Sequence, residues 1–264
     1  MTAPDTQAAA VAPASAWWQR ARRLLGQWPS QCLVCQRWPS DWLCPACASA
    51  CWQAQQRRCT RCALPLPTNS DICGACLRNP PWLRRCHAAV DYSPPWSGMV
   101  QQLKFHQHLA WASRMAQLLV QTPGVLAALQ EASLILPVPL SASRLRERGY
   151  NQALLLAQAL RQHASNHSPT NSKILACVEP LALLRQLDTS AQAGLDRRAR
   201  QRNLRRAFAV APAWEPAIAG QQVLLVDDVM TTGATLDALA RLLLRHGATA
   251  VDAVVFARTA APGE

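Results

Sequence analysis

The sequence predicts an α/β chain, a parallel sheet with flanking helices, preceded by a small cysteine-built module at its amino end. Two patterns carry this reading. Beyond Cys86, short apolar β runs alternate with helical periodicity, the signature of repeated βα units. Before it, ten of the eleven cysteines are packed between Cys32 and Cys86.

The elements follow in order. Residues 1–13 are mostly Ala, Pro, Thr and Gln and are expected to be disordered. Trp17, Trp18, Arg20, Arg22, Arg23, Leu24, Leu25 and Trp28 outline a short amphipathic helix. Residues 1–27 are therefore assigned to a tail and a helix. Such a basic, aromatic helix can lie on a membrane surface or cap the module that follows. The cap is favoured, because a module this small has too little core to stand alone.

Residues 28–82 are assigned to that module. Eight cysteines form four C-x-x-C pairs: Cys32/Cys35, Cys44/Cys47, Cys59/Cys62 and Cys73/Cys76. C-x-x-C brings two sulfurs of one tight turn to one ion, and two such knuckles complete a tetrahedron. The module reads as a double zinc ribbon with two structural Zn2+ sites. Nothing routes the chain to the oxidising compartment that a disulfide scaffold needs. Sequential pairing is the simplest assignment, and an interleaved one is compatible with the spacing. Cys51 lies one helical turn beyond Cys47 and is an alternative ligand. Cys86 is expected to open the next domain, and Cys177 to lie on an apolar strand.

Residues 86–260 are assigned to the α/β domain. Leu134–Val138, Ile174–Val178, Val223–Val226 and Val251–Phe256 are its strand candidates, with helices over Tyr150–His163 and Ala234–His246. Ligands of such folds sit beyond the carboxyl ends of the strands. One loop there stands out. Asp227, Asp228, Val229, Met230, Thr231, Thr232, Gly233, Ala234 and Thr235 follow a buried strand and open a helix. The threonine hydroxyls, a glycine turn and the N–H groups of a new helix form a phosphate cup. Paired carboxylates accept hydrogen bonds from a sugar diol or hold Mg2+ through water. Phosphate, diol and metal together describe a phosphorylated ribose.

Composition bounds the rest. The chain has 264 residues, 50% hydrophobic and 16% charged, so a sizeable core is possible and wholesale disorder is excluded. No apolar run approaches the roughly 18 residues of a membrane span. With no secretory pattern at the amino end, a cytoplasmic location is expected. The net charge is +12, and all but Lys104 and Lys173 of the 27 basic residues are Arg. Arg pairs bidentately with phosphate and stacks on bases, so a polyanionic partner is expected. Two four-cysteine zinc sites would lower the net charge to about +8, still basic.

The acid–threonine–glycine loop resembles the PRPP-binding signature of type I phosphoribosyltransferases. The chain from Cys32 to Thr259 resembles the ComF family (ComFC and GntX proteins), a double zinc ribbon joined to a phosphoribosyltransferase domain. The similarity rests on family-specific blocks. Leu136 to Leu140 with Arg144 to Gln152 resembles P-V-P-L followed by R-L-R-E-R-G-[FY]-N-Q. Arg185, Thr189, Gln192, Leu195, Arg200, Asn203, Ala207 and Phe208 keep the spacing of a second block, and Val90–Tyr92 with Leu103–Phe105 resemble the domain-opening elements. The chain departs from the family at Ser141, where His is common. It departs also at Gln36 and Ala63, where Gly often follows the knuckle, and at His106-Gln107-His108, where a basic-glycine turn is common.

The resemblance implies that Asp227 and Asp228 hold the ribose hydroxyls and that Thr231–Thr235 grip the 5′-phosphate. It implies that Pro137, Val138, Pro139 and Leu140 face pyrophosphate, with Arg144, Arg146 and Arg148 as available cations. Mg2+ arrives with the ligand. Phosphoribosyl transfer passes through an oxocarbenium-like centre, so holding both ends of PRPP provides most of the rate. No residue presents itself as a general base.

Residues 185–206 hold seven Arg against Asp188 and Asp196, and the resemblance places them where a mobile hood closes over PRPP. Arg197, Arg198, Arg200 and Arg202 are candidates for phosphates of single-stranded nucleic acid, the bland reading being a solvated helix face. Trp38, Trp42, Trp52 and Trp82 interleave with Arg in the zinc module, suited to base stacking or to filling a small core. By resemblance, the expected function is PRPP binding coupled to single-stranded DNA, with a DNA-uptake helicase as partner, in natural transformation or DNA utilisation. The alternatives are a phosphoribosyltransferase of nucleotide salvage and a non-catalytic nucleotide-sensing scaffold. The intact Asp227–Asp228 pair weighs against the scaffold.

Overall fold

The computed structural model describes residues 30–52, 55–67, 70–167, 176–186 and 207–261. The chain divides into two compact units, Met1–Trp52 and Gln53–Glu264, so the division falls between the two pairs of cysteine knuckles.

In the first unit, Ser30 and Ser40 bridge across a turn that carries Cys32 and Cys35. Helix α1 (Pro45–Cys51) starts behind Cys44, whose side chain accepts from Cys47 N, and Pro45 suits the first helical position. Gln36 follows the Cys32–Cys35 knuckle with φ 59. Glycine reaches that left-handed region freely, which explains why it is the common residue there.

The second unit opens with the Cys59–Cys62 knuckle, where Ala63 likewise stands at φ 56, and the short helix α2 (Gly74–Arg78) behind Cys73. Then come β1 (Arg85–Asp91), α3 (Trp96–Phe105), α4 (Ala110–Val120), α5 (Val125–Glu131) and β2 (Leu134–Pro137). Next are α6 (Ala142–Arg148), α7 (Gln152–His167), β3 (Leu183–Arg185), β4 (Phe208–Val210), α8 (Glu215–Ile218), β5 (Gln222–Met230), α9 (Ala234–Arg245) and β6 (Ala250–Arg258). The main sheet has the order β1-β6-β5-β2 and every pairing is parallel. β6 is buried along nearly its whole length, as a strand covered on both faces must be. On one face Val223, Leu225, Val251, Ala253 and Val255 pack with Leu236, Leu239 and Leu243 of α9. Cys59, Cys62, Ala63 and Cys76 belong to this same core, so the second knuckle pair is part of the sheet's packing. On the other face the rings of Trp96 and Phe256 meet edge to face at 6.2 Å.

Three expectations are adjusted. β5 does not stop at Val226. It pairs with β6 through Met230, so the two acids lie within the strand's last turn of pleat, Asp227 opposite Val255. The Ile174–Val178 run shows only a single parallel bridge, Ile135 to Val178, among the described residues. Cys177 is exposed there, because its carbonyl rather than its side chain meets β2, accepting from Ile135 N. β3 and β4 pair antiparallel as a separate ribbon flanking residues 187–206, which lie outside the described residues together with Arg197, Arg198, Arg200 and Arg202.

Candidate functional site

The carboxyl end of β5 delivers Asp227 and Asp228, which alternation points to opposite sides. Asp228 is 2% exposed. Lys104, at the end of α3, places Nζ 2.7 Å from Asp228 Oδ2. The contact is an ion pair without hydrogen-bond alignment, and Asp228 Oδ2 stays buried with no hydrogen bond. Asp227 Oδ1 accepts from Asp228 N at 2.9 Å. Burial, then the adjacent Asp228 carboxylate, push the Asp227 pKa well above the ordinary carboxylate range, and Lys104 offsets only part of this. One ammonium thus serves two acids. The site holds an excess of negative charge that a metal or a set of hydroxyl donors would relieve.

The cup follows directly. Gly233 has φ +79, and a Cβ there would stand 2.4 Å from Met230 Cε, so both backbone and space call for glycine. α9 begins at Ala234 with no side-chain cap on Gly233. Thr232 Oγ1 stands 3.4 Å from Ala234 N. Asp237, the acid of the first turn, is turned away to accept from Trp82 N at 2.6 Å. Thr231 and Thr232 are exposed at the mouth.

Beside it, the R-G-Y-N-Q block builds the loop after β2. Val138 N donates to Val226 O, which sets the Pro137–Leu140 segment alongside β5. Asn151 Nδ2 donates to Val138 O at 3.0 Å and its Oδ1 accepts from Ala153 N, fixing the loop and the start of α7 together. Ser141 caps α6, accepting from Arg144 N, so the position where His is common here serves the helix. Gly149 at φ 78 ends α6, and Tyr150 donates to Leu103 O, tying this corner to the turn that carries Lys104. Arg148 is engaged rather than free: it donates to Gln152 Oε1 at 2.9 Å and lies 5.1 Å above the Phe105 ring. Arg146 is exposed.

The cysteines form two groups, Cys32, Cys35, Cys44 and Cys47, and Cys59, Cys62, Cys73 and Cys76. Within each group the sulfurs lie within 4.8 Å of one another, in the sequential pairing. Cys35 and Cys44 Sγ are 3.7 Å apart, and Cys62 and Cys73 Sγ 3.6 Å. A tetrahedral ion with metal–sulfur bonds of about 2.3 Å sets its sulfurs about 3.8 Å apart, whereas a disulfide needs about 2.05 Å. Backbone N–H groups point at the sulfurs, Cys44 N to Cys32 Sγ at 3.4 Å and Cys73 N to Cys59 Sγ at 3.3 Å. At Cys32, burial works against ionisation, but the N–H groups of Cys44, Cys35 and Val34 bring its pKa down to about 6. Cys47, hydrogen-bonded to Cys44, is pushed up to about 12. Four converging sulfurs at this spacing are a set that a dication completes, and both groups fit zinc. Cys86 lies outside them, buried on β1.

Residues 151–264 match the phosphoribosyl transferase domain family. The chain is 37% identical over 241 residues to DNA utilization protein YhgH of Salmonella typhimurium, covering 88% of this chain and 98% of that one. The protein of the same name in Escherichia coli K12 is 36% identical over the same shares. The chain belongs to the ComF family. Competence protein F of Haemophilus influenzae is a further relative, 34% identical over 72% of this chain and 79% of that one. A solved structure of the allosteric regulatory enzyme of purine biosynthesis aligns at TM-score 0.33 and 18% identity over 55% of this chain and 25% of that one, too distant to add to this.

For this ComF chain the structure brings Asp227, Asp228, the Thr231–Thr235 turn and the loop after β2 to one end of the sheet. Sequence reasoning missed two residues there. Lys104 had a signal, being one of two lysines in a chain that otherwise uses Arg. Arg258 had none, since a lone Arg closing an apolar strand reads as a surface residue. It is 4% exposed. Among the described residues no helix is long and apolar enough to cross a membrane.

Proposed function

We propose that this ComF protein binds PRPP, or a related phosphoribosyl ligand, with Mg2+ at the carboxyl end of β5. The observation that carries the reading is the under-neutralised Asp227–Asp228 pair, Asp228 buried and Asp227 half-buried, opening directly onto the Gly233 turn. Asp227 and Asp228 take the ribose hydroxyls, and the hydroxyls and N–H groups of Thr231–Thr235 take the 5′-phosphate. The loop Pro137–Leu140, with Arg144, faces pyrophosphate. Mg2+ would supply charge neutralisation on the pyrophosphate. The protein's own part is to fix both ends of the ligand while Lys104 stays paired with Asp228. The two four-cysteine groups hold two structural Zn2+ ions.

The relatives are named for DNA utilisation and competence, and the net charge is +12. Both support a role with single-stranded DNA, and the proposal adds a DNA-uptake helicase as partner and a cytoplasmic location. Arg197, Arg198, Arg200 and Arg202 are the proposed phosphate contacts. Calorimetric titration of PRPP with and without Mg2+ tests the first part, followed by an acceptor screen for pyrophosphate release. Binding that requires Mg2+ is the expected result, and no binding in either condition would remove the reading. Release with a free nucleobase would favour nucleotide salvage. For DNA, neutralising about four phosphates predicts a log K against log salt slope near −3, flattened when Arg197, Arg198 and Arg200 are changed together to Ala.

A further inference from the structure

Arg258 closes β6, in register with Met230 of β5 and Asp91 of β1. It is 4% exposed. Its Nε donates to Cys62 O at 2.8 Å. Its Nη1 donates to Met230 O at 3.1 Å, to Thr231 O, and to Thr259 O at 2.7 Å. One guanidinium therefore joins the backbone of a cysteine knuckle to the first residue of the phosphate turn. Its described partners are carbonyl and hydroxyl oxygens, none of them a carboxylate. A buried cation without a counter-charge is costly. The carbonyl it holds belongs to Cys62, and with Zn2+ bound the four thiolates would carry a net −2 that would offset this charge.

A second route runs beside the first. Thr60 O, inside the same knuckle, accepts from Cys86 N at 2.8 Å. Cys86 Sγ stands 3.5 Å from Met230 Sδ, and Met230 Cε fills the space under Gly233. Arg58 adds a third tie, donating to Ala63 O at 3.2 Å and to Asp91 Oδ1 at 2.7 Å. The Cys59–Cys62 knuckle is thus held by its backbone carbonyls against the ends of β1 and β6 and the start of the Thr231–Thr235 turn.

We propose that Arg258 is a positioning residue through which the second four-cysteine site sets the geometry of the phosphate turn, so that metal at that site and ligand in the turn stabilise each other. The proposal rests on the reading that residues 231–235 take the ligand's phosphate. Linkage makes it reciprocal: if the metal favours PRPP, PRPP retains the metal by the same factor. Loss of metal or oxidation at Cys59, Cys62, Cys73 and Cys76 would then release the turn. The first cysteine group, in the other compact unit, makes none of these contacts among the described residues.

Two measurements on the full chain test this. The first follows transfer of zinc to a colorimetric chelator with and without PRPP. In wild type, PRPP should slow release of one of two zinc ions by about tenfold, and Arg258→Met should abolish that protection while leaving the other ion's release unchanged. A merely structural arginine would not make zinc retention depend on PRPP. The second is hydrogen exchange of the amides of residues 230–236 without ligand. Arg258→Met and Cys73→Ser should each raise it, Cys35→Ser should not, and Arg258→Lys, which keeps charge but loses the fork, should fall between. Should Arg258→Met fail to fold, the wild-type zinc measurement and Arg258→Lys still decide. Equal zinc release with and without PRPP bound, or unchanged exchange in Cys73→Ser, overturns the coupling. If PRPP does not bind wild type at all, the phosphate reading fails instead, and the exchange measurement alone decides whether knuckle and turn are linked.

Discussion

The two ends of one sheet carry acids of opposite design, Asp252 at one end and Asp227 with Asp228 at the other, Asp252 and Asp228 buried and Asp227 half-buried. At the amino end, Asp252 of β6 is 3% exposed and meets Arg84 at 2.7 Å and Arg85 at 2.8 Å, with Glu131 bridging the same arginines. Burial works to raise its pKa, but the two guanidiniums outweigh it and hold the carboxyl below its ordinary range. At the carboxyl end, Asp227 and Asp228 share one ammonium, and the Asp227 pKa is raised. Charge that the chain neutralises itself stabilises the fold. Charge that it leaves open costs stability, and under the proposed function that cost is relieved when the ligand binds.

The largest effect should come from breaking the satisfied end. Asp252→Asn leaves Arg84 and Arg85 without their buried partner and should destabilise the second unit by about 3 kcal/mol, read by denaturant unfolding. PRPP affinity of the folded fraction should not change. At the open end, Asp227→Ala with Asp228→Ala removes hydrogen bonds of roughly 1.5–3 kcal/mol each, so PRPP should bind at least about a hundredfold more weakly. Gly233→Val should reduce binding as well, because the left-handed φ and Met230 leave no place for a branched side chain.

The two ends should also respond oppositely to pH. Asp252 has a lowered folded pKa, so its stabilisation is present above about pH 4, the unfolded carboxylate value, and is lost as pH falls through the folded one. Asp227 has a raised folded pKa. Its penalty therefore sets in as pH rises above the unfolded value and is complete above the folded one. Wild-type stability minus that of Asp252→Asn should shrink toward acid, whereas the gain from Asp227→Asn should shrink toward acid only because the penalty itself disappears. The smallest effect concerns backbone strain. Gln107 is exposed at φ 54, and Gln107→Gly should stabilise by up to about 1 kcal/mol in thermal unfolding.

The sequence was legible where chemistry is local. The C-x-x-C spacing points to two four-sulfur groups and leaves their pairing open, which the structure resolves as sequential, and the Val223–Thr235 run carries strand, acids, turn and helix in order. The three positions at Gln36, Ala63 and Gln107, where the chain departs from the family's glycines, all take positive φ, so those departures mark real turns. What could not be read depends on pairs far apart in the chain. Lys104 on α3 reaches Asp228 of β5, and Arg258 of β6 reaches Cys62 in the knuckle, pairs 124 and 196 residues apart in the chain that only the tertiary fold brings together. The strand runs past Val226 because, although an acid pair ordinarily ends a strand, β6 supplies partners through Met230.

The comparison is tested most directly by one isosteric change read two ways. Asp227→Asn should be measured beside wild type for PRPP affinity with Mg2+ and for unfolding midpoint at neutral pH. The expected result is PRPP affinity lowered at least about tenfold, the loss of one charge-assisted hydrogen bond, together with stability raised by about 1 kcal/mol. Unchanged affinity, or a loss of stability like that of Asp252→Asn, would contradict the claim that this acid is held in reserve for a ligand.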